Sequence, residues 1–194
     1  WASSYTLSIR ATDNGFGSLT ATRNVVVNIT DINETPTFNI PQSFLNENPY
    51  LRYNAATGNF YRYVSTTASN AAATAAASAA MLNGVAGHLV TISDAAENAY
   101  VRALGSGALW LGGTDSVTEG DWIWGGSGPE GGQVFSVGSA AQGSFYTNWL
   151  AGQPDNGSNS DFLEMATSGL WTDVNGGNRA YVIEWEGAAV LSAL

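Results

Sequence analysis

From Gly112 to about Ser160 the chain is written mostly in Gly, Ser, Asn and aromatic residues, far past the roughly 12 to 15 residues of an ordinary structureless connection. A segment of that length in a compact domain is usually functional. Its Trp and Phe residues predict that it packs on itself, so any fold the chain adopts has to carry it. The oxygen-bearing side chains then crowd together between Asn148 and Asp173: Asn148-Trp149, Gln153-Pro154-Asp155, Asp161 and Gly169-Leu170-Trp171-Thr172-Asp173. They stop against a strand-like segment. Ca²⁺ takes roughly 6 to 8 oxygen ligands from carboxylates, amides, carbonyls and water, so a bendable loop delivering acids and amides is how a chain builds a calcium site.

Acids outnumber bases 16 to 6, for a formal net charge of -10, which repels nucleic acid and anionic membranes and attracts cations. There is no cysteine and a single histidine, His88. Disulfides, thiolate metal sites, thiol nucleophiles and His-clustered zinc are therefore excluded, and with one His and no Cys no Ser-His-Asp or Cys-His arrangement is available. His88 sits in an apolar segment and reads as structural. No acid is marked by its setting as a proton donor, so no enzyme and no catalytic residues are expected. No apolar run approaches the roughly 20 residues of a membrane-spanning helix, and no signal peptide is visible, so membrane insertion is not expected.

Taken in order, Tyr5, Leu7 and Ile9 alternate with polar residues, as do Val25, Val27 and Ile29, which predicts two strands within residues 1–36. A two-strand ribbon is marginal alone, so it reads as the tail of a β-sandwich in a longer protein. Residues 37–49, with Pro41 and Pro49, read as a linker. Phe60 to Val64 is a strand, and Asn70 through Leu82 is almost all alanine, a helix with Ser69 or Asn70 as its cap and Gly84 as its stop. Gly87 to Ile92 is a short apolar segment. Ser93 caps a second helix from Asp94 to about Leu104, with Glu97 one place out of register for a capping box. Ala108 to Gly112, Phe162 to Met165, Leu170-Trp171 and Tyr181 to Trp185 are strands, and residues 188–194 read as a linker onward. The fold class is α+β: two helices, small antiparallel sheets and a long ordered loop, preceded by a β-hairpin.

Two resemblances add to this reading. Ala11-Thr12-Asp13-Asn14-Gly15, a strand, then Asp31-Ile32-Asn33 resemble the last two strands of a cadherin-like repeat. By that resemblance Asp13 faces calcium in the preceding linker, and Asp31 and Asn33 face it in the following one. Glu34 and Thr35 depart from the family's Asp-Asn at their places, and an ordinary Asp/Asn-rich turn is the other reading. Residues 50–187 resemble the C-type lectin-like domain. The match is carried by Trp110-Leu111-Gly112, Thr114-Asp115-Ser116-Val117-Thr118-Glu119-Gly120, Asn148-Trp149, Gln153-Pro154-Asp155 and Gly169 to Asp173. The disulfides usual in the family are absent, as in many bacterial members.

The second resemblance implies a site. Pro154 would be cis and would turn Gln153 and Asp155 toward one Ca²⁺, whose remaining valences take two vicinal hydroxyls of a bound sugar. Gln-Pro-Asp is the family's galactose-type order, and the lack of an aromatic after the triplet leaves fucose open. Asp173 completes the retained ligands. Ser160 stands where the family has a glutamate and Thr172 where it has an asparagine. An auxiliary calcium would be held by Asp115, Glu119, Asn156 and Asp161. The two resemblances together imply a calcium-dependent carbohydrate-binding module of an extracellular, cell-surface bacterial adhesin of the repeats-in-toxin type. Its partners would be cell-surface glycans and neighbouring repeats of the same chain. The alternative is a lectin-like domain that binds protein or is structural, without sugar-bound calcium.

Overall fold

The structure, a computed structural model, describes residues 2–14, 16–17, 19–30, 40–155, 157 and 159–194. The chain divides into two compact units, residues 1–39 and 40–194. In the first, strands Ala2–Thr12 and Thr20–Thr30 pair antiparallel in unbroken register, from Ala2 opposite Thr30 to Thr12 opposite Thr20. Tyr5 and Leu7 stand opposite Val27 and Val25, and all four side chains are exposed. Asp13 closes the turn. Its backbone N–H donates to Leu19 O at 3.0 Å and its Oδ1 accepts from Leu19 N at 3.2 Å. Asp31 and Asn33, expected to face a linker ion, lie outside the described residues, as do Glu34 and Thr35.

The second unit is organised on strand Arg179–Trp185, buried along all but its first residue. It pairs antiparallel with Asn59–Ala68 and with His88–Leu89, and parallel with Leu109–Thr114. From Leu109–Thr114 the sheet continues in two directions. One runs to Asp121–Trp124 and on to Val134–Val137, the other to Phe162–Met165 and on to Trp171–Val174. The stretch read as one long loop after Gly112 thus contains paired strands. Period-2 alternation sends Trp122 and Trp124 into the core, where neither exposes any surface, and leaves Ile123 half-buried between them. The surrounding glycine and serine hide that alternation in the sequence.

The alanine helix spans Asn70–Ala79, capped by Ser69 Oγ accepting from Ala72 N at 3.3 Å. Ala73 and Ala77, four residues apart on one face, are fully buried. The helix stops short of the expected Leu82 because Met81–Leu82 pairs with Val85–Ala86 in a small hairpin. Asn83 and Gly84, both at positive φ (48° and 80°), make its turn, so Gly84 serves the hairpin and not the helix end. The second helix, Ala95–Ala103, is capped by Asp94 and not Ser93. Asp94 Oδ1 accepts from Glu97 N at 2.8 Å while Glu97 Oε2 reaches back to Ser93 N at 2.7 Å. Counted from Asp94, Asp-x-x-Glu has the spacing of a capping box, with the return bond taken by the residue before the cap. Short helices Gln42–Glu47 and Gly187–Ser192 lie in or next to the segments read as linkers, and they bury Phe44 and Val190 in the same core cluster. At Gly187 a Cβ would lie 1.7 Å from Gly58 O, so only glycine lets these backbones approach.

Candidate functional site

Strand Trp171–Val174 is the anchor of the site. Trp171 N donates to Asn148 O and Leu150 N donates to Trp171 O, both at 2.8 Å, so a single parallel bridge hangs the loop on the strand. The Trp171 ring fixes the same junction from inside, edge-on to Trp124, Phe135, Tyr146 and Trp149 at centroid distances of 5.6–6.1 Å. Its Nε1–H donates to Asn98 Oδ1 at 2.8 Å. Asn98 and Asn148 then both donate to Gly169 O, at 3.0 and 2.8 Å, which ties the second helix, the loop and the turn before the strand together. Asn98 is buried on a helix facing the core, and nothing in its local sequence marks it as a clamp.

From that anchor the chain turns at Gly152, at φ 87°, and the Gln153–Pro154 peptide is cis. Asp173 N donates to Gln153 Oε1 and Asp155 N donates to Asp173 Oδ1, each at 3.2 Å. Asp155 Oδ1 in turn accepts from Gly157 N at 2.9 Å. Gln153, Asp155 and Asp173 are therefore brought together, although they come from a loop and a strand 18 and 20 residues apart. Ser160 is buried, with its hydroxyl donating to Gly157 O inside the loop. Thr172 is half-buried on the strand, opposite Glu164. The Glu164 carboxylate pairs with Arg179.

Asp115 and Asp161 are carried by segments that the pairing of Thr114 with Phe162 brings to adjacent strand ends. Asp115 is 2% exposed, and its Oδ2 accepts from Gly120 N at 3.0 Å. Its Oδ1 is buried and has no hydrogen-bond partner among the described residues. Burial, with the nearby Glu119 carboxylate adding to it, pushes the Asp115 carboxyl up to about 6. An orphaned buried carboxylate oxygen of this kind fits a proton or a cation. Glu119 is exposed, Asp161 accepts from Asn159 Nδ2 with both oxygens, and Asn156 lies outside the described residues. All donors in both sets are oxygens, the atoms calcium prefers. Among the described residues, however, no three acids or imidazoles gather in a group able to hold a metal.

A second polar cluster escaped the sequence. A cavity of about 190 Å³ is lined by Glu97, Glu130, Glu184 and Glu186 with Asn59 and Thr91. Glu184 accepts from Asn59 Nδ2 at 2.9 Å and from Thr91 N at 3.0 Å, and Glu97 accepts from Tyr61 Oη at 2.6 Å. His88 Nε2 lies 3.2 Å from Glu186 Oε1. The one local signal was Glu184 itself, an acid inside the apolar run Tyr181 to Trp185. Burial, then the Glu97 charge, pushes Glu184 up to about 7. For His88, burial works against protonation, but the hydrogen bond to Glu186 and the Glu184 charge outweigh it and raise its pKa.

Both shifts have the same consequence. The folded state holds protons on Glu184 and His88 to higher pH than the unfolded chain, so their contribution to stability falls as pH rises from about 4.5 through about 7 and beyond. The thermal midpoint is expected to be higher at about pH 5.5 than at about pH 8. Glu184→Gln should flatten that difference whatever it does to the midpoint itself. A wild-type midpoint that rises toward pH 8 would contradict this reading of the cluster.

Compared with known proteins, residues 71–183 match the model of the Lectin C-type domain. The chain belongs to the C-type lectin domain family. Among curated relatives, this lectin domain is 31% identical over 141 residues to halomucin of Haloquadratum walsbyi, covering 71% of this chain and 2% of that protein. It is 35% identical over 86 residues to the alpha-N-acetylgalactosamine-specific lectin of Patiria pectinifera, covering 41% of this chain and 43% of that one. The chain thus spans less than half the length of either. The solved C-type lectin CEL-I from Cucumaria echinata superposes with a TM-score of 0.56 at 28% identity, over 70% of this chain and 94% of that one. The lectin domain has the α+β fold of these neighbours, and the Patiria relative is by its name specific for alpha-N-acetylgalactosamine. No helix among the described residues is long and apolar enough to cross a membrane.

Proposed function

We propose that this chain is a calcium-dependent carbohydrate-binding module that takes galactose-type or fucose-containing glycans. The observation that carries the reading is the convergence of Gln153, Asp155 and Asp173 through the two 3.2 Å hydrogen bonds around Asp173. Gln153 Oε1 and the two carboxylates would hold the ion. Calcium held there supplies the coordination that vicinal sugar hydroxyls complete. The protein's own part is to fix those oxygens against a buried strand and to offer acceptors and an amide donor that orient the hydroxyls. The Gln-Pro-Asp order favours the galactose class, in line with the N-acetylgalactosamine specificity in the name of the Patiria relative. Asp115 with Glu119, and with Asn156 and Asp161 from the loop's other end, would hold an auxiliary calcium, and the orphaned Asp115 Oδ1 supports that set.

The hairpin unit, with its exposed apolar face, is read as the end of a cadherin-like repeat in an extracellular, cell-surface bacterial adhesin of the repeats-in-toxin type. Asp13, Asp31 and Asn33 would meet linker calcium there. Single-site affinity near the millimolar level, about -4 kcal/mol, would be raised by many copies engaging one surface.

A second reading, a lectin-like domain that binds protein or is structural, is favoured by Ser160, whose hydroxyl is spent on Gly157 O where a family acid would serve calcium. A glycan array probed with calcium and again with EDTA separates the two. Galactose-class or fucosylated hits that vanish in EDTA are expected. Hits that survive EDTA, or no hits at all, select the second reading.

A further inference from the structure

Beside the triplet lies a second polar depression of about 370 Å³, within the roughly 300–1,000 Å³ range of small-ligand sites. Its lining includes Ser139, Thr147, Asn148, Trp149, Leu150 and Gln153. Gln153 belongs to both places, since its Oε1 accepts from Asp173 N. The groove and the proposed sugar site therefore share one residue.

The lining side chains divide by what they still have to offer. Asn148 is held in place, with its Nδ2 donating to Gly169 O and its backbone carbonyl accepting from Trp171 N. Trp149 is held as well, its Nε1 donating to Ser136 Oγ at 3.1 Å and its ring 5.1 Å from Trp122. These two make a rigid wall. The Ser139 and Thr147 hydroxyls, by contrast, bond to no other described residue, and each is free both to donate and to accept. Leu150, 39% exposed, adds an apolar patch that suits the C–H face of a pyranose ring. The lining contains no acid and no base, and the chain as a whole carries a formal charge of -10. Such a wall has nothing to pair with a carboxylate or a sulfate, and the protein's field repels both.

We infer that the groove is a second sugar subsite, taking the neutral hexose linked next to the residue bound at Gln153, Asp155 and Asp173. This rests on the carbohydrate-binding reading above and narrows it. The preferred ligand is an uncharged glycan of at least two residues, presented in a linkage that turns the second ring toward Thr147 and Ser139. The groove is open and wet, so the gain is modest.

The test titrates the intact chain, in calcium, with methyl galactoside and with galactose-terminated disaccharides that differ in linkage and in whether the second sugar is neutral or acidic. At least one neutral disaccharide is expected to bind about tenfold more tightly than methyl galactoside, a difference of about 1.4 kcal/mol, with acidic ones showing no gain. Thr147→Trp should fill the groove and remove the gain while methyl galactoside binds as before. Ser139→Trp, on an exposed turn, repeats the block at a position where folding is not at stake. The inference is overturned if methyl galactoside binds and no disaccharide gains over it, or if the gain persists in both tryptophan variants. In either case the primary site stands. If no sugar binds to the parent chain, the carbohydrate reading itself fails and the subsite with it.

Discussion

Asp173→Ala is expected to abolish calcium-dependent glycan binding while leaving a folded domain. Asp173 is 6% exposed and stands at the crossing of the two contacts that assemble the site: its N–H holds Gln153 Oε1 and its Oδ1 holds Asp155 N. Removing the carboxylate takes away one of two acids from the proposed ion and unfastens the Asp155 backbone at once. The cost to folding is smaller. The bond to Asp155 N, worth about 1 kcal/mol, is lost, and the repulsion between two neighbouring carboxylates is relieved. From the proposed single-site affinity near the millimolar level, a loss of about 100-fold leaves no detectable signal. Asp155→Ala should behave alike, because its carboxylate is the triplet's acid. Retention of parental glycan binding in Asp173→Ala would show that the sugar sits elsewhere.

Trp171→Ala is expected to give the largest loss of stability among single changes near the site. The ring is fully buried against Trp124, Phe135, Tyr146 and Trp149, and its indole N–H is bonded to buried Asn98. Truncating a buried aromatic of this size costs about 3–5 kcal/mol, through lost transfer free energy and the cavity left behind. For a chain of this length that corresponds to a fall in thermal midpoint of about 10 °C. Trp171→Phe keeps most of the packing and gives up the bond to Asn98, so its loss should be markedly smaller. Denaturant midpoints for the two variants check the order. Since the backbone of Trp171 also holds Asn148 and Leu150, the alanine variant should loosen the loop and weaken glycan binding through disorder of the triplet. Equal, small losses in both variants would mean that the aromatic cluster is not what holds the loop.

The fold and the oxygen-bearing triplet with its nearby strand acid were legible because both are written locally. Gln153-Pro154-Asp155 is three consecutive residues, and Trp171-Thr172-Asp173 is a strand with its own alternation. The alanine run from Asn70 announces a helix by propensity alone. Where local signals conflicted, the neighbours decided. The alanine helix stops at Ala79 because Met81–Leu82 gains a strand partner, a gain that propensity does not see. Likewise, Ser93 and Asp94 are both good caps. The choice fell to Asp94 because Glu97 then bonds both Ser93 N and Tyr61 Oη, and Tyr61 arrives from a strand 36 residues earlier.

By itself, then, the sequence determined the α+β class, the lectin-like order of elements, the excess of acids and the oxygen-bearing residues Gln153, Asp155 and Asp173 on which the proposal rests. Tertiary structure alone decided which of these meet. Asp173 faces the triplet because a single bridge at Trp171 sets the loop's height on the strand. Glu184 and Glu97 share a cavity with His88 nearby because the central strand pairs with His88–Leu89 on one side and, on the other, with the strand whose Tyr61 bonds Glu97. The groove beside Gln153 exists because the turn at Ser139 and the loop at Thr147 are folded to one place. The physical reason is the same in each case. Propensity and motif act over a few residues, whereas strand register and side-chain packing fix distances between residues tens of positions apart, and chemistry at a site depends on those distances.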